Sequence, residues 1–196
     1  NRFFGGAQVP TGRMAGDVAR LLAEAGHQVV ALASSGAYEG VAQAQESGDG
    51  GCKIGVETVH VPRWMPRALA WLWFTWRARR RIPQMDWDVC VLMTDPPLLP
   101  LLAARVKAVG YVTGDRRQSE GSAYAFAAAN GSGVTTKRRV AVWLMDLYPE
   151  ALAASGRIGM RNPFYRWYFS RRQQALGLCD LLVCLGEAQK ERLGLE

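Results

Sequence analysis

Short apolar runs rich in Val, Leu and Ile alternate with stretches of helical hydrophobic spacing along nearly the whole chain, and nothing else constrains its fold so tightly. Parallel strands cannot be joined by tight turns; each needs a crossover, usually a helix, to return the chain across the sheet. The alternation therefore predicts an α/β domain, with a mainly parallel central sheet covered by helices on both faces. Apolar residues make up 49% of the 196, enough for such a core, which excludes global disorder.

Residues 1–4 read as the end of a first strand. Met14, Val18, Leu21, Leu22 and Ala25 fall at helical spacing, and Gly26 supplies the stop. Residues 27–33 and 56–61 are the second and third strands, with a loop rich in Gly, Ser and Ala between them. A helix follows over 67–82. The fourth strand, 88–93, is apolar after its opening Asp88 and is predicted to be central. It leads through a turn into a helix over 98–108. The fifth strand is 140–145, and a helix carrying Phe164, Trp167, Tyr168 and Arg171 precedes the sixth, 181–185. Residues 110–139 far exceed the roughly 2–6 residues usual between a helix and the next strand. They read as a flexible Gly- and Ser-bearing insertion, with a short helix over 123–129, within one domain spanning 1–196.

Lys and Arg number 24 against 17 Asp and Glu, a formal charge of +7. That favours anionic partners: phosphorylated substrates, an anionic membrane face or nucleic acid. Many of the arginines cluster on the aromatic-rich 67–82 helix instead of tracking a phosphate backbone, so no nucleic-acid partner is expected. The four cysteines form no C-x-x-C pair, and Cys90 and Cys184 sit inside strand runs, as reduced buried thiols do. The opening residues lack a signal-peptide pattern, and no apolar run approaches the roughly 20 residues of a membrane span. The expected location is cytoplasmic, with a peripheral place on the inner membrane face left open.

Ligands of open parallel sheets bind beyond the carboxyl ends of the strands. After the first strand comes Gly5-Gly6-Ala-Gln-Val-Pro-Thr11-Gly12-Arg13. Two glycines allow close backbone approach, Thr11 suits a helix N-cap, and Arg13 adds charge beside a phosphate-binding helix start. An ordinary turn before a capped helix fits equally. The loop lacks G-x-G-x-x-G, no acid ends the second strand, and no P-loop occurs, so NAD and P-loop nucleotides are excluded. After the fourth strand, Thr94-Asp95-Pro96-Pro97 is a stiff turn that either braces a site wall or simply turns the chain. After the fifth, Trp143-Leu-Met-Asp146-Leu-Tyr-Pro-Glu150 puts a carboxylate at the end of an apolar strand. Burial there is costly unless the group is paired or used. Asp146 is therefore the leading catalytic candidate, with a helix cap as its plainer role; Glu150 suits a first helical turn. His27 and His60 carry weak signals, and no cluster has metal-ligand spacing, so no metal is expected.

The 67–82 helix carries two stripes. Leu69, Leu72, Trp73 and Trp76 follow i, i+3, i+4, i+7 and are predicted to face the core. Arg67, Trp71, Phe74, Ala78 and Arg81 run on the other side. Arginines bracketing Trp71 and Phe74 predict docking onto an anionic membrane, unless another element covers those rings.

Taken in order, Arg2-Phe-Phe, Thr11-Gly12, Ala25-Gly-His-Gln-Val-Val, Asp95-Pro-Pro-Leu, Trp143-Leu-Met-Asp-Leu-Tyr-Pro-Glu and Cys179-Asp-Leu-Leu-Val-Cys-Leu-Gly-Glu make the chain resemble the N-terminal domain of family 4 glycosyltransferases. The insertion over 110–139 departs from that pattern. The resemblance implies a Rossmann-like three-layer sandwich, one half of a GT-B fold, with the acceptor bound here. The nucleotide-sugar would be held mostly by a C-terminal domain expected to be absent from these residues. It implies sugar transfer to a cell-envelope polysaccharide or lipid-linked acceptor, with retention, no cofactor and no metal. This part alone is expected to be inactive. It would place Gly5, Gly6, Thr11, Gly12 and Arg13 near the donor diphosphate and Asp146 near the acceptor hydroxyl. The alternative is a non-catalytic membrane-anchoring or acceptor-binding subunit of a split transferase.

Overall fold

Local sequence decides where the first helix begins and ends. Pro10 opens α1 (Pro10–Glu24), where a missing N–H removes no helical bond. Gly26 closes it at a φ of +87°. Its N–H donates to the Ala23 carbonyl and that of His27 to the Leu22 carbonyl, both at 3.0 Å, a left-handed cap suited to a residue without Cβ. The computed structural model describes residues 4, 10–35, 54–62, 64–109 and 138–194.

After α1 come β1 (Val29–Ser35), β2 (Ile54–His60), α2 (Arg67–Arg81) and a 3-10 turn, Ile82–Gln84. Then follow β3 (Val89–Met93), a second 3-10 turn (Leu99–Leu102), α3 (Ala103–Val109) and β4 (Arg139–Leu144). The described chain ends with α4 (Glu150–Ala154), α5 (Pro163–Leu176), β5 (Leu181–Cys184) and α6 (Glu187–Leu193). The five strands lie within a few residues of the apolar runs. Residues 1–3, Gly5, Gly6, Cys52 and 110–137, the bulk of the expected insertion, lie outside the described residues.

Every strand pairing among the described residues is parallel. β1 pairs with β2, Val29 opposite Ile54 and Ser35 opposite His60. The other sheet runs β3-β4-β5, with Met93 opposite Trp143 and Trp143 opposite Val183. The fold is thus α/β, with two small parallel sheets and flanking helices. β4, not the 88–93 run, is central in the three-stranded sheet: Val140, Val142 and Leu144 are buried, whereas Val89 and Val91 of β3 are exposed.

One face of that sheet, through Leu92, Val142 and Leu182, packs with Phe74, Val106, Ala175 and Leu176 into the main core. On the other face Ala15 and Met14 of α1 meet Met93, Trp143 and Met145, while Val91 and Leu181 stay exposed. Among the described residues, helical cover on the second face is confined to that corner.

Helix α2 turns inward the face opposite to the one its spacing predicts, and α1 buries small residues in place of its leucines. In α1 the buried residues are Gly12, Ala15, Ala19 and Ala23, while Leu21 and Leu22 are exposed. In α2 they are Ala70, Phe74 and Ala78, with Phe74 fully buried at 0% exposure. Leu69, Leu72, Trp73 and Trp76, expected inside, are exposed. Small side chains at i and i+8 let the helix axis approach the core closely, and Phe74 fills the space between them. Phe74 is therefore not membrane-facing. Arg81 is not a free charge either: its guanidinium pairs with Glu57 of β2, which raises its pKa through that hydrogen bond and the carboxylate's charge.

Cys90 and Cys179 are half-buried thiols against the main core. Burial pushes Cys90 up to about 12; burial, then the Asp180 charge, pushes Cys179 up to about 11. A raised thiol pKa means little thiolate, the nucleophilic form. Near pH ~8, iodoacetamide should alkylate native Cys90 more than about a hundredfold more slowly than the same thiol in the unfolded chain. Equal labelling, read by mass spectrometry, would refute the burial.

Candidate functional site

The two turns that leave the sheet after β3 and β4 are fastened to one another. Thr94, one residue past β3 and buried, accepts hydrogen bonds on Oγ1 from the N–H groups of Met145 (3.0 Å) and Asp146 (3.2 Å). The hydroxyl thus extends the β3–β4 connection beyond the last ladder pair and fixes the backbone of Asp95 relative to that of Asp146. Each turn contains a cis X-Pro bond, Asp95-Pro96 in one and Tyr148-Pro149 in the other.

Helix α5 grips both turns. The buried Tyr168 hydroxyl donates to the Pro97 carbonyl, and burial raises its pKa, which keeps that proton in place. Arg172, only 2% exposed, donates to the Tyr148 carbonyl. It also holds Glu150 bidentately, at 2.7 and 2.6 Å, a geometry that suits the planar guanidinium. Glu150 lies in the first turn of α4, as its sequence position predicts, and its larger role is to neutralise Arg172.

In front of these turns lies a cleft of about 200 Å³. Thr94, Asp95, Pro97, Asp146 and Tyr148 form one side, and Thr11 from the first turn of α1 with Arg67 and Trp71 of α2 completes it. α2 follows β2, so the cleft draws on segments beyond the carboxyl ends of β2, β3 and β4, where ligands of parallel sheets bind. The Arg67 guanidinium sits 5.2 Å from the centroid of the Trp71 ring, within cation–π range.

Polar groups of the cleft are left unspent. The Asp146 side chain has no hydrogen-bond or ion-pair partner among the described residues, and the buried Trp71 Nε1 has none either. Tyr148 is held in its neutral, donating form: partial burial raises its pKa most, and the charges of Asp146 and Asp95 add to that against the pull of Arg67 and Arg157. The cleft therefore offers a carboxylate acceptor, two neutral donors and a cation.

Of the residues singled out in the sequence, Thr11, Asp95 and Asp146 come together here. Thr11 does so from inside α1, which already begins at Pro10, so it is not the N-cap. Gly12 is buried in the same helix, Arg13 is exposed without lining the cleft, and Pro96 is buried and does not line it either. Asp146 is exposed at the strand end, so a burial penalty does not mark it. Nor does it cap α4, whose cap is Pro149. Arg67 and Trp71, expected on a membrane face, instead line the cleft. His60 is exposed, and its carbonyl accepts the Trp73 indole N–H at 3.0 Å. Thr94 and Tyr148 lie in the two turns singled out by position, but no local signal marked Thr94 as the link between those turns or Arg172 as an anchor of the second, because the partners lie tens of residues apart. No group of His, Cys, Asp and Glu disposed to hold a metal occurs among the described residues, and no described helix is long and apolar enough to cross a membrane. Compared with known proteins, the chain matches no family model, no curated protein and no solved structure.

Proposed function

We propose that this chain is the acceptor-side, Rossmann-like domain of a GT-B glycosyltransferase of family 4, moving a sugar from a nucleotide-sugar to a polysaccharide or lipid-linked acceptor. The observation that carries the reading is one cleft, at the carboxyl edge of the strands, joining Asp146, Asp95 and Tyr148 to the first turn of α1. A hydroxyl acceptor needs a carboxylate to orient it and take its proton, and Asp146 has an uncommitted one. The acceptor oxygen bonds to the anomeric carbon while the bond to the diphosphate breaks, and the diphosphate leaves with the electron pair. The first turn of α1 and Arg67 are placed to offset phosphate charge, and the Trp71 N–H and Tyr148 O–H to hold ligand oxygens. The donor's nucleotide would be held by a second domain, and no cofactor enters the chemistry.

The test is transfer of labelled sugar from uridine- and guanosine-diphosphate sugars to a lipid-linked acceptor fraction. The full-length gene product should transfer label. The 196-residue chain alone should transfer none and bind nucleotide-sugars weakly by calorimetry, because half a cleft does not offset the entropy lost on association. Tight nucleotide-sugar binding by that chain alone, or no transfer from any donor by the full-length protein, would overturn the proposal.

A further inference from the structure

Helix α2 has two unlike faces. Ala70, Phe74 and Ala78 pack inward. Leu69, Leu72, Trp73 and Trp76 form an exposed stripe on the outside, and exposed Arg79 and Arg80 continue it through the last turn. Leu69 and Leu72 are 52% and 54% exposed, and Trp64, just ahead of the helix, is 81% exposed. No residue of α2 is acidic. The Arg80 guanidinium lies 4.0 Å from the Trp76 ring centroid and that of Arg77 lies 5.9 Å from Trp73. The aromatics and the cations thus form one continuous patch.

We propose that this outward face of α2 docks the protein onto an anionic lipid bilayer, with Leu69, Leu72, Trp73 and Trp76 at headgroup depth and Arg77, Arg79 and Arg80 on lipid phosphates. The chemistry fits such a surface on both counts. Exposed leucines beside tryptophans gain from an acyl boundary, and the arginines gain from the negative surface potential. A nucleic acid would use the arginines and rings but leave the leucines in water. A second copy of the chain would cover the leucines but offer the arginines no acid from this helix.

A smaller aromatic patch lies on α5, where Phe164 and Trp167 are exposed near Arg166 and Arg171. Those two rings occupy one turn, whereas the α2 stripe continues from Leu69 through Arg80. Docking through α2 also has a geometric effect, which rests on the sugar-transfer reading. Arg67 and Trp71 of the same helix line the cleft. The site would then lie within roughly a helix diameter, about 10 Å, of the headgroups, where a membrane-held acceptor reaches it.

Co-sedimentation of the full chain with vesicles tests the docking without any transfer assay. Phosphatidylcholine vesicles containing phosphatidylglycerol should bind the protein, and pure phosphatidylcholine should not. Binding should fall away near 1 M salt, where screening length drops to about 3 Å. Arg79→Gln with Arg80→Gln should weaken partitioning about thirtyfold, about fivefold for each charge removed. Leu72→Ser with Trp76→Ser should abolish it, and Phe164→Ser with Trp167→Ser should leave it intact. All substituted side chains are exposed, and melting curves verify that the variants fold. Four results would overturn the proposal: equal binding to neutral vesicles, wild-type binding by both α2 variants, loss of binding only with the α5 pair, or RNA capture in place of vesicle binding. A dimer dissolved by Leu72→Ser with Trp76→Ser, without vesicle binding, would make this face a self-interface instead.

Discussion

An Asp146→Asn variant of the full-length protein is expected to turn over about 10²–10⁴-fold more slowly than wild type, the usual contribution of a positioned general base, while melting at the wild-type temperature. The two halves of this expectation have separate grounds. Asn keeps the shape of Asp but cannot take a proton from an acceptor hydroxyl. The side chain is exposed and has no partner among the described residues, so its replacement should alter stability by no more than about 0.5 kcal/mol. The backbone N–H of residue 146 would still donate to Thr94, which holds the turn in place. Steady-state kinetics with a parallel thermal melt decide it. Near-normal turnover would remove Asp146 from the chemistry, and a large drop in melting temperature would make its role structural.

Arg172→Met should destabilise the protein by about 3 kcal/mol, the lower end of the usual cost of removing one partner from a buried ion pair. The lower end applies because Glu150 keeps 24% exposure of its side chain and can be partly hydrated. For a chain of this size that is a fall of roughly 6–12 °C in Tm. The loss goes beyond the salt bridge, since the Tyr148 carbonyl also gives up its donor. Pairing Arg172→Met with Glu150→Leu should recover much of the stability, because no unpaired charge is then left behind. The double variant would still have lost the bond to Tyr148. A single variant as stable as wild type would show that the pair does not hold the turn after β4.

The strands were legible in the sequence because each apolar run is bounded by turn residues, and β3, β4 and β5 follow those runs closely. The helix faces were not. Leu21, Leu22, Leu69, Leu72, Trp73 and Trp76 dominate any reading weighted by side-chain size, yet all are exposed. The buried stripes are built from Ala15, Ala19 and Ala23 in α1, and from Ala70, Phe74 and Ala78 in α2. An alanine at every fourth residue in α1, and alanines eight apart around Phe74 in α2, were the available signal, because small side chains mark where a helix lies close to its neighbour. β3 looked central since an apolar run does not reveal whether both of its faces are covered, and Val89 and Val91 are not.

Thr11, Asp95 and Asp146, which line one cleft, were singled out from one rule, that ligands gather beyond the strand ends. The linking role of Thr94 and the anchoring role of Arg172 were beyond any local reading. A threonine after a strand and an arginine within a helix look ordinary until the fold brings Met145 to one and Glu150 to the other.

The grip of α5 on both turns has a mechanical consequence. Tyr168 and Arg172 lie one helical turn apart and hold the segments carrying Asp95 and Asp146 respectively, while Thr94 links those segments directly. The two acids therefore share a single mount. Thr11, Arg67 and Trp71 belong to a different jaw, carried by α1 and α2. Met14 and Ala15 of α1 and Phe74 of α2 seat that jaw on the core, so the gap that a ligand must fit is set by apolar packing, whereas the spacing of the two acids is set by hydrogen bonds.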